Sequence, residues 1–161
     1  MAVGGGSALQ RDHQTAKSDF APTLTYSMGV GSSPLSTWVL GGMVRGETMF
    51  GLGSDLGAVI RVATGGFARG DWGVALEAGG LWRPWRQGSY GEWPIQGIVT
   101  LGSPWGFQLA LGTQVASIDL AEPALGFLAA VEIDLLRLTV MRQGATERWW
   151  YNPAPAGGHL N

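Results

Sequence analysis

The chain has no cysteine and, among its 161 residues, a single lysine, Lys17, and two histidines. The absence of cysteine excludes disulfides and thiolate metal sites. Charged residues make up only 14% of the chain, whereas soluble domains carry about 25%. The formal net charge of −2 provides no basic surface of the kind that binds nucleic acid. The chain is long enough for one domain but has few charges with which to cover a water-facing surface.

Several functional signals are also missing. No run of about 18 apolar residues occurs, so the sequence predicts no transmembrane helix. The first twenty residues lack the basic start and apolar core of a signal peptide. Either the chain is cytoplasmic or such a peptide has been removed, and we expect the second. Both histidines, His13 and His159, lie near the ends of the chain, away from any serine on a predicted strand, so no catalytic Ser–His pair is indicated. The acidic residues in the links are too dispersed for a metal site: Asp55, Asp71, Asp119 and Glu122. We expect these four to be solvated turn residues. We also expect that the protein has no enzyme activity and binds no cofactor or metal.

The chain is rich in glycine, with 27 residues, and apolar residues alternate repeatedly with small or polar ones. Between residues 22 and 143, segments of about ten residues alternate in this way and are separated by turn residues, which is typical of barrel strands. The pattern predicts eight strands in an up-and-down β-barrel, the last two over residues 124–133 and 135–143. A helix over residues 122–143 is the competing interpretation, because Ala, Leu and Glu favour helices.

The less apolar face of these strands is mostly Gly, Ala, Ser, Thr and Gln, with five charges: Arg45, Arg61, Glu77, Glu132 and Arg137. A soluble surface carries roughly a quarter to a third charged residues, so this face fits the narrow interior of a closed barrel better than a surface. Because a buried carboxylate needs a partner, we expect Glu77 to pair with Arg61, and Glu132 with Arg137. A salt-bridge network that plugs the lumen is favoured over a selectivity ring in a pore.

Tryptophans lie at or near the ends of the apolar faces or beside a loop: Trp38, Trp72, Trp82, Trp93 and Trp105. Aromatic residues in such positions anchor a transmembrane barrel at the two membrane interfaces. The alternative is that they are core tryptophans of a soluble protein.

In this pattern the chain resembles the class of small outer-membrane β-barrels represented by the OmpA transmembrane domain and OmpX, over residues 22–143. The resemblance implies an eight-stranded antiparallel barrel with a packed polar interior, located in the outer membrane of a Gram-negative bacterium. It also implies export across the inner membrane and insertion by the barrel-assembly machinery.

The two ends of the chain lie outside the alternating region. We expect residues 1–21, with "GGGS" as a linker, to form a flexible arm, and residues 144–161 to form an aromatic and Pro/Gly-rich tail. This tail and the loop over residues 82–93 carry aromatic residues of the kind enriched in binding hot spots: Trp85, Tyr90, Trp149, Trp150 and Tyr151. We expect these to dock an envelope protein partner, and the alternative for the loop is that it anchors the barrel at the membrane interface. Arg83 and Arg86 of the loop are candidates for contact with lipid phosphates.

The leading functional hypothesis is a non-enzymatic outer-membrane barrel that acts as a structural or scaffolding subunit, in contact with membrane lipid and a protein partner. A narrow pore for small solutes or ions is the second hypothesis. A soluble lipocalin-like barrel that binds an apolar ligand is the third.

Overall fold

A computed structural model describes residues 1–11, 17–33, 36–85, 92–115 and 125–135. The chain forms a closed up-and-down barrel of eight antiparallel strands, in which each strand pairs with the next and β8 pairs with β1. A short helix, α1 (Gly65–Arg69), separates β4 from β5. The strands are β1 (Ala2–Arg11), β2 (Ser18–Gly31), β3 (Trp38–Met49), β4 (Gly53–Thr64), β5 (Gly73–Trp82), β6 (Ile95–Gly102), β7 (Phe107–Val115) and β8 (Leu125–Asp134). The predicted fold class is therefore confirmed, and the helix alternative is wrong for residues 125–134.

The first strand is the main correction to the sequence analysis. Residues 1–21 do not form a flexible arm, because β1 and the start of β2 lie within them and β1 pairs with both β2 and β8. The "GGGS" segment is part of β1 rather than a linker. A Cβ on Gly6 would lie 2.0 Å from the carbonyl oxygen of Ala129 on β8, so glycine permits this close approach. Of the strand predicted at 135–143, residues 136–143 lie outside the described residues, as does the tail 144–161.

The two ends of the barrel differ in what covers them. Because the strands alternate in direction, Met1 and Leu135 lie at the same end, where the Leu135 amide donates to the Met1 carbonyl oxygen at 2.9 Å. We call this the terminal end and the opposite one the distal end. At the terminal end, α1 places Phe67 in a buried cluster with Ala63 and Ala75. The helix begins at its N-cap Thr64, whose side chain accepts a hydrogen bond from the Phe67 amide.

The distal end is covered by residues that follow β3 and β5. Leu52 and Trp85 pack against a buried cluster that includes Met49 and Ile98. Both ends of the barrel are thus closed in part by an aromatic side chain, Phe67 at one and Trp85 at the other. The space between them is the barrel interior.

Buried and exposed residues alternate along the strands, so one face of each strand is buried and the opposite face is exposed. The outward positions are apolar: Met28 is 57% exposed, Leu40 59%, Ile60 62% and Leu76 54%. The buried apolar residues are mostly alanines, whereas the largest fully buried side chains include Arg45, Arg83, Gln96 and Glu132. The usual arrangement of a globular protein, apolar inside and polar outside, is therefore inverted.

Candidate functional site

The candidate site is the polar interior, and Arg45 of β3 lies at its centre. The Arg45 guanidinium contacts three carboxylates: Nη2 lies 2.6 Å from Glu132 Oε1, Nε 3.3 Å from Glu47 Oε1 and Nη1 3.4 Å from Glu77 Oε2. The Thr25 hydroxyl also donates to Glu132 Oε1 at 3.0 Å. One fully buried cation thus links carboxylates from β3, β5 and β8.

Arg61 extends this network toward the terminal end. Arg61 and Glu77 are register partners on β4 and β5, and Arg61 Nε donates to Glu77 Oε1 at 2.9 Å while Nη2 forms a second, short contact with the same oxygen. The Arg61 guanidinium also lies 5.4 Å from the centroid of the Phe67 ring. The predicted ion pair forms, and it lies beneath the aromatic residue that covers this end.

A second ion pair lies at the distal end. Arg83 Nη2 is 2.6 Å from Asp55 Oδ2, and the Trp85 indole N–H donates to Asp55 Oδ1 at 2.8 Å. The guanidinium of Arg83 lies 4.8 Å from the centroid of the Trp85 ring. Asp55 is therefore fully buried and paired rather than a solvated turn residue, and Arg83, at 2% exposure, does not contact lipid phosphates.

Glutamines join the two groups of charges. Gln114 Oε1 accepts from Arg83 Nη2 at 2.8 Å and from Gln10 Nε2 at 2.9 Å, and Gln114 Nε2 donates to Glu47 Oε2 at 2.8 Å. Gln96 Nε2 makes a short hydrogen bond to Glu47 Oε1. Glu47 in turn contacts Arg45, so hydrogen bonds and ion pairs run without a break from Trp85 at the distal end to Arg61 at the terminal end.

The arrangement fills the lumen with paired charges. Arg45, Glu47 and Asp55 are all 0% exposed. A closed eight-stranded barrel has an interior just wide enough for side chains to fill, and these side chains are long and fixed by several partners each. A cavity of about 160 Å³ lies at the terminal end, between Met43, Arg61, Phe67 and Asp134.

Of the charged residues expected inside, Arg45, Glu77 and Glu132 are buried and Arg61 is partly buried. The expected partner of Glu132, Arg137, lies outside the described residues; within them, Glu132 pairs with Arg45. Sequence analysis missed Glu47, Asp55 and Arg83. Continued alternation was the available signal, because Glu47 falls on the face of Arg45, and Asp55 on the face of Arg61.

The tryptophans form two groups on the outer surface. Trp38, Trp72 and Trp105 lie at the terminal end, where Trp72 and Trp105 pack edge to face with centroids 5.6 Å apart. Trp82 and Trp93 lie at the distal end. All five are at least 45% exposed, so none is a core tryptophan.

Of the residues expected to dock a partner, Trp85 alone belongs to the part of the chain that the structure describes. Trp85 is partly buried and makes its hydrogen bond inside the protein, so its ring contributes to closing the distal end. The others lie outside the described residues: Tyr90, Trp149, Trp150 and Tyr151.

No protein-family model, curated protein or solved structure matches this chain. Functional interpretation therefore rests on the arrangement of its own residues. In the described ranges no helix is long and apolar enough to cross a membrane. Within the same ranges, no three or more acidic or histidine side chains group in a way that could hold a metal ion.

Proposed function

We propose that this chain is an integral β-barrel protein of the outer membrane of a Gram-negative bacterium, with a structural rather than enzymatic role and a lumen closed by its own side chains. The observation that carries the proposal is the inverted polarity of the barrel. Outward positions from β2 to β8 are predominantly apolar, while the interior holds charged and amide side chains. Lipid is the solvent in which this distribution is favourable.

The extent of the exposed apolar surface supports the lipid environment. Monomeric soluble proteins rarely expose a contiguous apolar patch of more than a few hundred Å². Here the apolar side chains follow one another around the whole barrel, from Leu24 on β2 through Ile60 on β4 and Leu109 on β7 to Val131 on β8. In water this apolar surface would cause aggregation, whereas in a membrane it would be covered by lipid acyl chains.

The spacing of the tryptophans matches a bilayer. Trp72 and Trp82 lie at the two ends of β5, ten residues apart on the outward face. At about 3.3 Å per residue and a strand tilt of about 40°, they are separated by roughly 25 Å along the barrel axis, which is the height of the apolar band in outer-membrane barrels.

The interior network argues against the two alternative functions. A pore requires a continuous aqueous path, but Arg45 and its three carboxylates occupy the middle of the lumen and are almost completely buried. A lipocalin-like protein requires an apolar interior cavity, and the described interior is polar. We therefore favour a plugged barrel that serves as a structural element of the envelope.

Cell fractionation tests the membrane location. The expressed protein should remain in the membrane pellet after alkaline carbonate extraction, dissolve only with detergent, and migrate differently on gels before and after boiling. Recovery in the soluble fraction without detergent would refute the proposal.

Planar bilayer recording tests whether the lumen is closed. The inserted protein should show no ion conductance, while Arg45→Ala with Glu132→Ala, which removes two side chains from the centre, should show an intermittent leak. Steady conductance by the unaltered protein that Glu77→Gln abolishes would instead establish the pore.

A further inference from the structure

A groove of about 730 Å³ crosses the outer wall of the barrel. Most of its lining residues form two rows of outward-facing residues that are register neighbours from strand to strand. The first row runs from β5 to β1: Leu76, Val99, Leu111, Ala129 and Ser7. The second runs from β6 to β2: Gly97, Thr113, Phe127, Leu9 and Phe20. The groove therefore follows the hydrogen-bonding direction of the sheet.

The side chains explain why this part of the wall is concave. Small residues form the floor on successive strands, with Gly97 on β6, Ala129 on β8 and Ser7 on β1. Larger apolar residues, such as Leu76 and Phe127, rise beside them. The exposed lining is almost entirely apolar.

The direction and length of the groove are those of one extended acyl chain in one leaflet. Strands lie about 4.8 Å apart, so the five spacings from β5 to β2 amount to roughly 24 Å. Because the strands tilt by about 40°, this path descends roughly 15 Å along the barrel axis. That is about half of the hydrocarbon thickness of a bilayer, which is ~30 Å. The groove starts near the distal end, beside Phe20, and ends at Leu76.

Cations lie at the distal start of the groove. Arg11 is the next outward position of β1 after Leu9, and the other charged residues of the eight strands occupy inward positions. The register partner of Arg11 is Ser18, so Lys17 lies next to it. Lys17 is exposed and is 3.4 Å from the carboxylate of Asp19. An apolar path that begins at two cations has the polarity of a lipid with an anionic headgroup.

We propose that the groove binds one acyl chain of an anionic phospholipid, whose phosphate lies against Arg11 and Lys17. This inference rests on the proposed membrane location. A second copy of the chain would fit the site less well, because the outward positions of its described strands carry no acidic residue that could face Arg11 and Lys17.

The absence of cysteine permits a site-specific test. Val131, beside the groove on β8, and Val44, on β3 outside it, are exposed outward residues, at 55% and 49%. Val131→Cys and Val44→Cys would each carry a fluorophore in phosphatidylcholine vesicles. Phosphatidylglycerol with brominated acyl chains, which quench the fluorophore, would be added at increasing fractions. Quenching at position 131 should reach its half-maximum at a fraction several-fold lower than at position 44.

Two sets of variants separate the headgroup from the groove. Arg11→Gln and Lys17→Gln should each lower the preference for phosphatidylglycerol about fivefold at most, and together they should bring position 131 to the level of position 44. Gly97→Leu adds bulk to the groove, and its Cβ is accommodated because no atom lies within 4 Å of a Cβ at that position. Gly42→Leu is the matched control, since it has the same open space on β3. Gly97→Leu should abolish the preference, and Gly42→Leu should leave it unchanged.

The outcomes distinguish this inference from the membrane proposal. Equal quenching curves at positions 131 and 44 in inserted protein would overturn the lipid site. A preference that depends on the cations but survives Gly97→Leu would also overturn it, because attraction at the interface would then suffice without a groove. Absence of quenching at both positions would refute membrane insertion itself.

Discussion

Arg45 is the residue on which the interior network depends most, because it is fully buried and neutralises carboxylates from three strands. Arg45→Met should therefore lower the free energy of unfolding by at least about 3–5 kcal/mol, the cost of leaving a buried charge without its partner. Arg61→Met should cost less, roughly 1–3 kcal/mol, since the Arg61 side chain is 17% exposed and contacts Glu77 alone among the carboxylates. Urea titration of vesicle-inserted protein measures both. A larger loss for Arg61→Met would contradict this order.

Ile60 and Ser54 test which solvent meets the outer wall. Both are exposed and point outward from β4, Ile60 near the middle of the strand and Ser54 near its distal end. If the wall faces lipid, Ile60→Arg should cost about 2–4 kcal/mol and Ser54→Arg about 0–1 kcal/mol, because the penalty depends on depth. Unfolding free energies in vesicles measure the difference. Similar small effects at both positions would indicate that the wall faces water.

At the scale of the elements, β1 closes the barrel by pairing with β8, and its glycines fit that contact unequally. A Cβ on Gly6 would clash with the backbone of Ala129, whereas a Cβ on Gly5 would meet only the Thr23 carbonyl oxygen, at 3.9 Å. Gly6→Val should therefore reduce the yield of folded, heat-modifiable protein severalfold, while Gly5→Val should leave it nearly unchanged. If both variants fold equally well, the close pairing of β1 with β8 is not required for closure.

The strands differ in how well the sequence predicts them, and the difference lies in their outward residues. β5 alternates bulky apolar residues with small ones and includes Glu77, so both its faces can be read from the pattern. The outward positions of β1 include Gly5 and Ser7, which have little apolar signal, because this strand contributes to the floor of the groove. Pairing with β2 and β8 defines β1 as a strand, and such long-range pairing has no local signature.

The inward residues are predictable where apolar residues alternate clearly with small or polar ones along a strand. Glu77 and Arg61 fall on the same face of neighbouring strands, and their pairing follows from that placement. Glu47 and Asp55 are harder to predict, because they lie near the ends of β3 and β4 among Gly and Thr residues that are typical of a link. The partner of Glu132 was not predictable, because Arg45 reaches it across the lumen rather than along a hairpin.

At the scale of the whole molecule, the two groups of tryptophans set a preferred bilayer thickness. The separation of roughly 25 Å between Trp72 and Trp82 is less than the ~30 Å of an average hydrocarbon core. The urea midpoint of the inserted protein should therefore be highest in vesicles with a core of about 25 Å and should fall as the acyl chains are lengthened. A midpoint that is the same across the series would show that the tryptophans do not mark the interfaces.

The pairing of β1 with β8 also determines the order in which the protein can be built. Ala2 pairs with Asp134, and Gln10 with Gly126. One edge of β1 therefore lacks its backbone hydrogen bonds until β8 has been synthesised. Until then the growing sheet has two edges with unpaired backbone N–H and C=O groups. Lipid cannot hydrogen-bond to these groups, and in water they can pair with other chains. Such late closure is slow, because the contacts with the greatest separation along the chain come last. The barrel can therefore close only after β8 has been synthesised.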